Sequence, residues 1–114
     1  MTRDEVEAFA LSLPATSKVV QWGGSDVYKV GGKVFAICGL RGGLSFKVSE
    51  IAFEGLTGLP HVGQAPYFAK RQWVSVSKGA ALSDAELKAY ILASYQTIAG
   101  KLTRKVRAEL GIAL

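Results

Sequence analysis

Val27-Tyr28-Lys29-Val30-Gly31-Gly32-Lys33-Val34-Phe35-Ala36-Ile37-Cys38 sets two apolar, β-prone runs on either side of a glycine pair. A two-residue glycine loop supplies the positive φ that a tight hairpin turn needs, so the two runs pair antiparallel. Parallel pairing would require a crossover connection, and two residues are too few for one. A second glycine pair, Gly42-Gly43, leads into Leu44-Ser45-Phe46-Lys47-Val48. Its strict alternation turns Leu44, Phe46 and Val48 to the core and Ser45 and Lys47 outward. Upstream, Val19-Val20-Gln21-Trp22 follows a polar connection over 15–18 and stops at Gly23-Gly24.

Helices flank these strands. Thr2 and Glu5 have the spacing of a capping box, and Val6, Phe9, Ala10 and Leu13 recur at helical intervals until Pro14 ends the run. Ser49 caps a short helix reaching about Leu56. Residues 59–66 read as a loop, 67–77 as extended chain carrying the strand formers Trp73, Val74 and Val76, and 78–81 as a turn. Ser83 and Glu86 form a second capping box, with Leu82 and Leu87 at the positions of a hydrophobic staple. Leu87, Tyr90, Ile91, Tyr95, Ile98 and Leu102 then trace one helical face, which Gly100 weakens or ends. Thr103 caps a last short helix around Val106 and Leu110. The expectation is an α+β fold of two layers, an antiparallel sheet covered by helices, in the order α-β-β-β-α-β(β)-α-α, forming one domain over 1–114.

A chain of 114 residues and 12.1 kDa has room for one core and needs neither disulfide nor metal to hold it. Fourteen Lys and Arg against nine Asp and Glu give +5, and the excess is local: residues 1–60 are neutral and residues 61–114 carry all of it. A charge of that size favours polyanion partners without requiring one. The single cysteine, Cys38, excludes an internal disulfide and suits a reducing cytoplasm. No basic segment precedes an apolar run at the N-terminus, and no apolar stretch approaches membrane-spanning length, so a cytoplasmic protein without a membrane partner is expected.

Catalytic chemistry finds little support. Gly31-Gly32-Lys33 invites a phosphate-loop reading, but the first glycine of that motif is missing and Val34 stands where a hydroxyl should hold magnesium. Cys38 closes an apolar strand and has only His61 available as a base. One Cys and one His cannot build a zinc site of the usual kind. Glu5 and Glu86 are accounted for as caps. The expectation is a non-enzyme with no catalytic residue, no metal and no cofactor.

The stronger lead is Tyr67-Phe68-Ala69-Lys70-Arg71-Gln72-Trp73, which interleaves aromatic faces with cations, with Lys78 just beyond. Lys70 and Arg71 would neutralise phosphates while Tyr67 or Trp73 packs on a sugar or an unpaired base. The competing reading makes Trp73 a core aromatic and Lys70-Arg71 a solvated turn. Lys47, and Arg104, Lys105 and Arg107 on the last helix, would extend the same patch if they share a face.

Several segments together resemble the MmcQ/YjbR family. They are Trp22-Gly23, the hairpin from Val30 to Ala36, Leu44-Ser45-Phe46-Lys47, Ala65-Pro66-Tyr67 and Lys70-Arg71-Gln72-Trp73-Val74, followed by a helix from Asp84 to Leu102 with Ser94-Tyr95 and Lys101-Leu102. They run in the family's order along nearly the whole chain, while 51–63 is richer in glycine and poorer in charge than the family pattern. The resemblance implies a small α+β fold similar to type III secretion chaperones and a double-wing DNA-binding role. The residues it implies are Trp22, Lys33, Lys47, Tyr67, Lys70, Arg71 and Trp73. The expected partner is therefore DNA, bound with weak sequence preference by a monomer or homodimer. The alternative is a protein-binding or homodimerising module with no nucleic-acid role.

Overall fold

Local capping fixes where each helix starts. In the computed structural model, which describes residues 1–113, the Thr2 hydroxyl accepts from the Glu5 amide at 3.1 Å and Glu5 Oε1 accepts from the Thr2 amide at 2.9 Å. These bonds open α1 (Arg3–Ser12), and Leu13 and Pro14 turn the chain out of it. Ser49 caps α2 (Glu50–Thr57). Ser83 and Glu86 close the same reciprocal box, at 3.1 and 3.0 Å, on α3 (Asp84–Ala99). Thr103 caps α4 (Arg104–Leu110), which stops at Gly111 in the left-handed region.

Six strands form one antiparallel sheet: β1 (Thr16–Gln21), β2 (Ser25–Val30), β3 (Lys33–Cys38), β4 (Leu44–Lys47), β5 (Val62–Gln64) and β6 (Trp73–Val76). Their spatial order is β1-β2-β3-β4-β6-β5. The architecture is α+β, as expected. Three boundaries differ from the sequence reading. β1 takes in most of the polar connection, because an edge strand exposed along its length has no hydrophobic alternation to reveal it. β5 lies inside the segment read as a loop, which makes two strands between α2 and α3. Only Trp73–Val76 of the segment 67–77 is strand. The Gln64 side chain holds the chain before Trp73 in turns instead, its Nε2 donating to the Ala65 carbonyl at 2.8 Å and its Oε1 accepting from the Arg71 amide at 3.0 Å.

The two faces of the sheet differ. One packs against α1 and α3, with α2 over β5 and β6. Tyr28, Phe35, Phe46, Val74, Ile91 and Tyr95 fill that layer, each large apolar side chain contributing about 1.5–3 kcal/mol by leaving water. Phe35 meets Tyr95 edge-on and Phe46 stacks on Tyr90. The Tyr95 hydroxyl donates to the Pro14 carbonyl at 2.7 Å, tying α3 to the end of α1.

Ser94 joins helix and sheet. Beyond the Ala36–Phe46 register pair, the next partners along β3 and β4 are Phe35 and Lys47. The Ser94 hydroxyl stands between them, donating to the Phe35 carbonyl at 2.7 Å and accepting from the Lys47 amide at 3.0 Å. Ser94→Ala leaves two buried backbone groups unpaired and should cost about 2 kcal/mol. Denaturant unfolding checks the loss, and amide exchange at Lys47 checks its place: unchanged protection there would refute this role.

Candidate functional site

The hairpin glycines organise one end of the sheet. Gly31 and Gly32 both lie at positive φ, 56° and 80°, as a two-residue hairpin turn requires. A Cβ on Gly31 would come within 2.7 Å of Leu102, so glycine also permits the segment after α3 to close over the hairpin. Lys33 opens β3 opposite Val30, and Lys47 ends β4 opposite Trp73, so register puts both at this end. Lys101 and α4 follow from the C-terminus of α3. Arg104 and Lys105 are exposed, and the Arg107 guanidinium is held near the Gly100 carbonyl.

Lys47 is the informative member. It is half-buried, its Nζ donates to Gln72 Oε1 at 2.7 Å, and its pKa is pushed below the ordinary lysine value by burial and by the neighbouring Lys101 ammonium. Two like charges held together are a ready partner for an anion. Lys70 is exposed in the turn before β6. Arg71 is more committed: it pairs with Glu54 and lies 5.9 Å from the centre of the Phe53 ring. Among the described residues it is the one member of this group with a carboxylate partner.

Capping carboxylates collect at the other end. Glu5 and Glu86 are held below the usual carboxylate range by the cap hydrogen bonds they accept, and Asp84 pairs with the Met1 ammonium at 2.9 Å. Asp26, at the start of β2, is clamped by Arg3. Acids therefore gather where α1 and α3 begin, and unpaired cations where α3 ends and α4 runs, an arrangement that suits the dipoles of α1 and α3.

Two aromatic candidates separate. Trp73 is only 6% exposed and stacks under Phe68 with ring centres 4.2 Å apart, so its face is not open to a base. Tyr67 is wholly exposed at the rim of the opposite sheet face, together with Trp22 at 61%. Lys78 stands apart from the other cations, because β6 carries it to the far end of the sheet beside Gly42. Lys33, Lys47, Lys70, Arg71, Arg104, Lys105 and Arg107 share the hairpin end, joined by Lys101, which the sequence reading did not select. The signal for Lys101 was its position one residue past the C-cap of α3.

Cys38 is buried, its thiol pushed up by desolvation, which is the reverse of an activated nucleophile. His61 is exposed in the turn before β5. Among the described residues no group of three or more His, Cys, Asp or Glu side chains is placed to hold a metal ion, and no helix is long and apolar enough to cross a membrane.

A family model described as YjbR matches residues 11–97. The chain belongs to the YjbR family. No curated protein matches it. Among solved structures, a Deinococcus radiodurans protein with a DUF419 domain is similar at a TM-score of 0.87 and 23% identity, over 98% of this chain and 89% of that one. A Pseudomonas syringae protein is similar at a TM-score of 0.71 and 20% identity, over 86% of this chain and 99% of that one. At such identities the likeness concerns the fold, and within that fold the YjbR-family match spans the whole sheet and most of α3.

Proposed function

We propose that this YjbR-family chain is a non-enzymatic, cytoplasmic DNA-binding protein that holds the phosphate backbone against its hairpin end. The observation that carries the reading is the Lys47–Lys101 pair: Lys47 is half-buried with the Lys101 ammonium as its neighbour, and neither lysine has a carboxylate partner among the described residues. Lys33, Lys70 and the α4 cations Arg104, Lys105 and Arg107 widen that field. Arg71 contributes once it is released from Glu54. A neighbouring phosphate would relieve the repulsion between the two lysines, which makes the anion-bound state the favoured one. No base-reading helix stands out, so the expected sequence preference is weak.

With four to six phosphates contacted, log K for duplex DNA should fall against log salt with a slope of roughly −4 to −5. A titration at two salt concentrations measures it. Absence of binding at low ionic strength, or a signal indifferent to salt, would sink this reading.

A second reading rests on β1. It is an edge strand with Val20 60% exposed, and such an edge can add a strand from a partner or from a second copy of the chain. Light scattering after size exclusion separates the two readings, since a protein-binding or homodimerising module predicts association without DNA.

A further inference from the structure

The sheet face turned away from the helices holds a cleft of about 740 Å³. That is the size of a site for one small organic molecule. Strand alternation builds its floor: Ile37 and Ser45 are register partners across β3 and β4, Ser45 and Ser75 across β4 and β6, and Ser25 adds a third hydroxyl from the start of β2. Serines at these positions leave open a space that valine or leucine would fill. Ser25, Ser45 and Ser75 are half-buried, and their hydroxyls make no hydrogen bond among the described residues, so three polar groups face the cleft unused.

The walls are aromatic. Trp22 meets Phe68 edge-on with ring centres 6.4 Å apart, and Phe68 is backed by Trp73. Trp22 and Tyr67, the two exposed aromatics at the mouth, are both held in the left-handed region, at φ 52° and 68°. Bulky residues rarely adopt that conformation, and it persists only where the surrounding structure holds it, as it also does at Ala15, His61 and Arg71 outside the cleft. Arg41 is the one charged residue lining the cleft, and it has no carboxylate partner among the described residues.

We propose that this cleft binds a planar aromatic molecule carrying a single anionic group, such as an aromatic carboxylate. The ring lies against Trp22 and Phe68 with Tyr67 closing over it, the acid group meets Arg41, and polar ring substituents meet the serine floor. Aromatic walls select a flat π-system, and the lone guanidinium selects one negative charge. The serine floor and Arg41 lie toward the opposite end of the strands from Lys33 and Lys47, while the aromatic wall adjoins the turn that carries Lys70 and Arg71, so the two sites are neighbours with different charged groups. Failure of either proposal leaves the other standing.

The test titrates the full chain with 2-naphthoate and, in parallel, with the uncharged 2-naphthalenemethanol, following tryptophan fluorescence and heat. One-to-one saturable binding of naphthoate is expected. Arg41→Gln, at an exposed loop position, should weaken naphthoate about tenfold or more and leave the alcohol's affinity unchanged. Ser45→Leu, which fills the floor, should abolish both, with thermal melting to confirm that the variant folds. The proposal is overturned by absence of saturable wild-type binding at millimolar ligand, by equal naphthoate affinity in Arg41→Gln, or by binding that persists in a folded Ser45→Leu protein.

Discussion

Asp26→Ala should lower the unfolding free energy by about 3 kcal/mol at neutral pH. The carboxylate is buried at the start of β2 and takes two hydrogen bonds from one guanidinium, Arg3 Nε at 2.7 Å and Nη2 at 2.8 Å, while Nη2 also donates to the Gly24 carbonyl at 2.6 Å. One residue of α1 thereby fastens the helix to the β1–β2 turn. Removing the carboxylate strands the guanidinium beside a desolvated surface, although Arg3 is a third exposed and can turn to water, which keeps the loss at the low end for a buried pair. The pH dependence has a definite sign. Arg3 holds the Asp26 carboxyl below its ordinary value of 3.8, so in that range the unfolded chain binds the proton more readily than the folded one. The stabilisation is complete above about pH 4 and is lost as pH falls through the lowered folded value. The difference between urea melts of wild type and Asp26→Ala should therefore be smaller near pH 2 than at pH 7. An undiminished difference at the lower pH would mean that the carboxylate's charge is not what binds α1 to the sheet.

Features set by neighbouring residues were open to a reading of the sequence, and features set by distant ones were not. Gly31-Gly32 specifies a hairpin because two adjacent positive-φ positions have few other uses, and the Thr2–Glu5 and Ser83–Glu86 pairs specify helix starts because both partners lie within four residues. The first half of β1 escaped because an exposed edge carries no alternation, and β5 because three residues are too short for a period. The candidate site divides the same way. Alternation in β4 places Lys47 outside the core from local pattern alone. Lys78 looks contiguous with Lys70 and Arg71 in sequence, but a strand advances about 3.3 Å per residue, and the run from Trp73 to Lys78 crosses the sheet to its other end. The local pattern places Lys101 just past the end of α3, but that this end lies beside the end of β4 and Lys47 is a consequence of packing that no window of sequence contains. Trp73 belonged to both the core and the site readings, and Phe68 decides between them by stacking over it.

Lys101→Glu should weaken duplex DNA binding on the order of a hundredfold near 0.1 M salt while leaving the fold at least as stable as wild type. The substitution removes one cation and places a carboxylate beside Lys47, which loses a like-charged neighbour and gains an opposite one. Lys47 is then occupied internally, so two phosphate contacts are lost together. Each such contact is worth close to one decade at that ionic strength through counterion release, and the salt slope should shrink by about two. The opposed directions of the two effects give the experiment its force, because impaired folding would weaken binding and lower the melting temperature at once. Lys78→Glu supplies the comparison: it makes the same change in net charge at the far end of the sheet, where it should alter affinity only slightly. If the two variants weaken binding equally, the protein attracts DNA through its overall +5 charge, and the Lys47–Lys101 end has no special part in it.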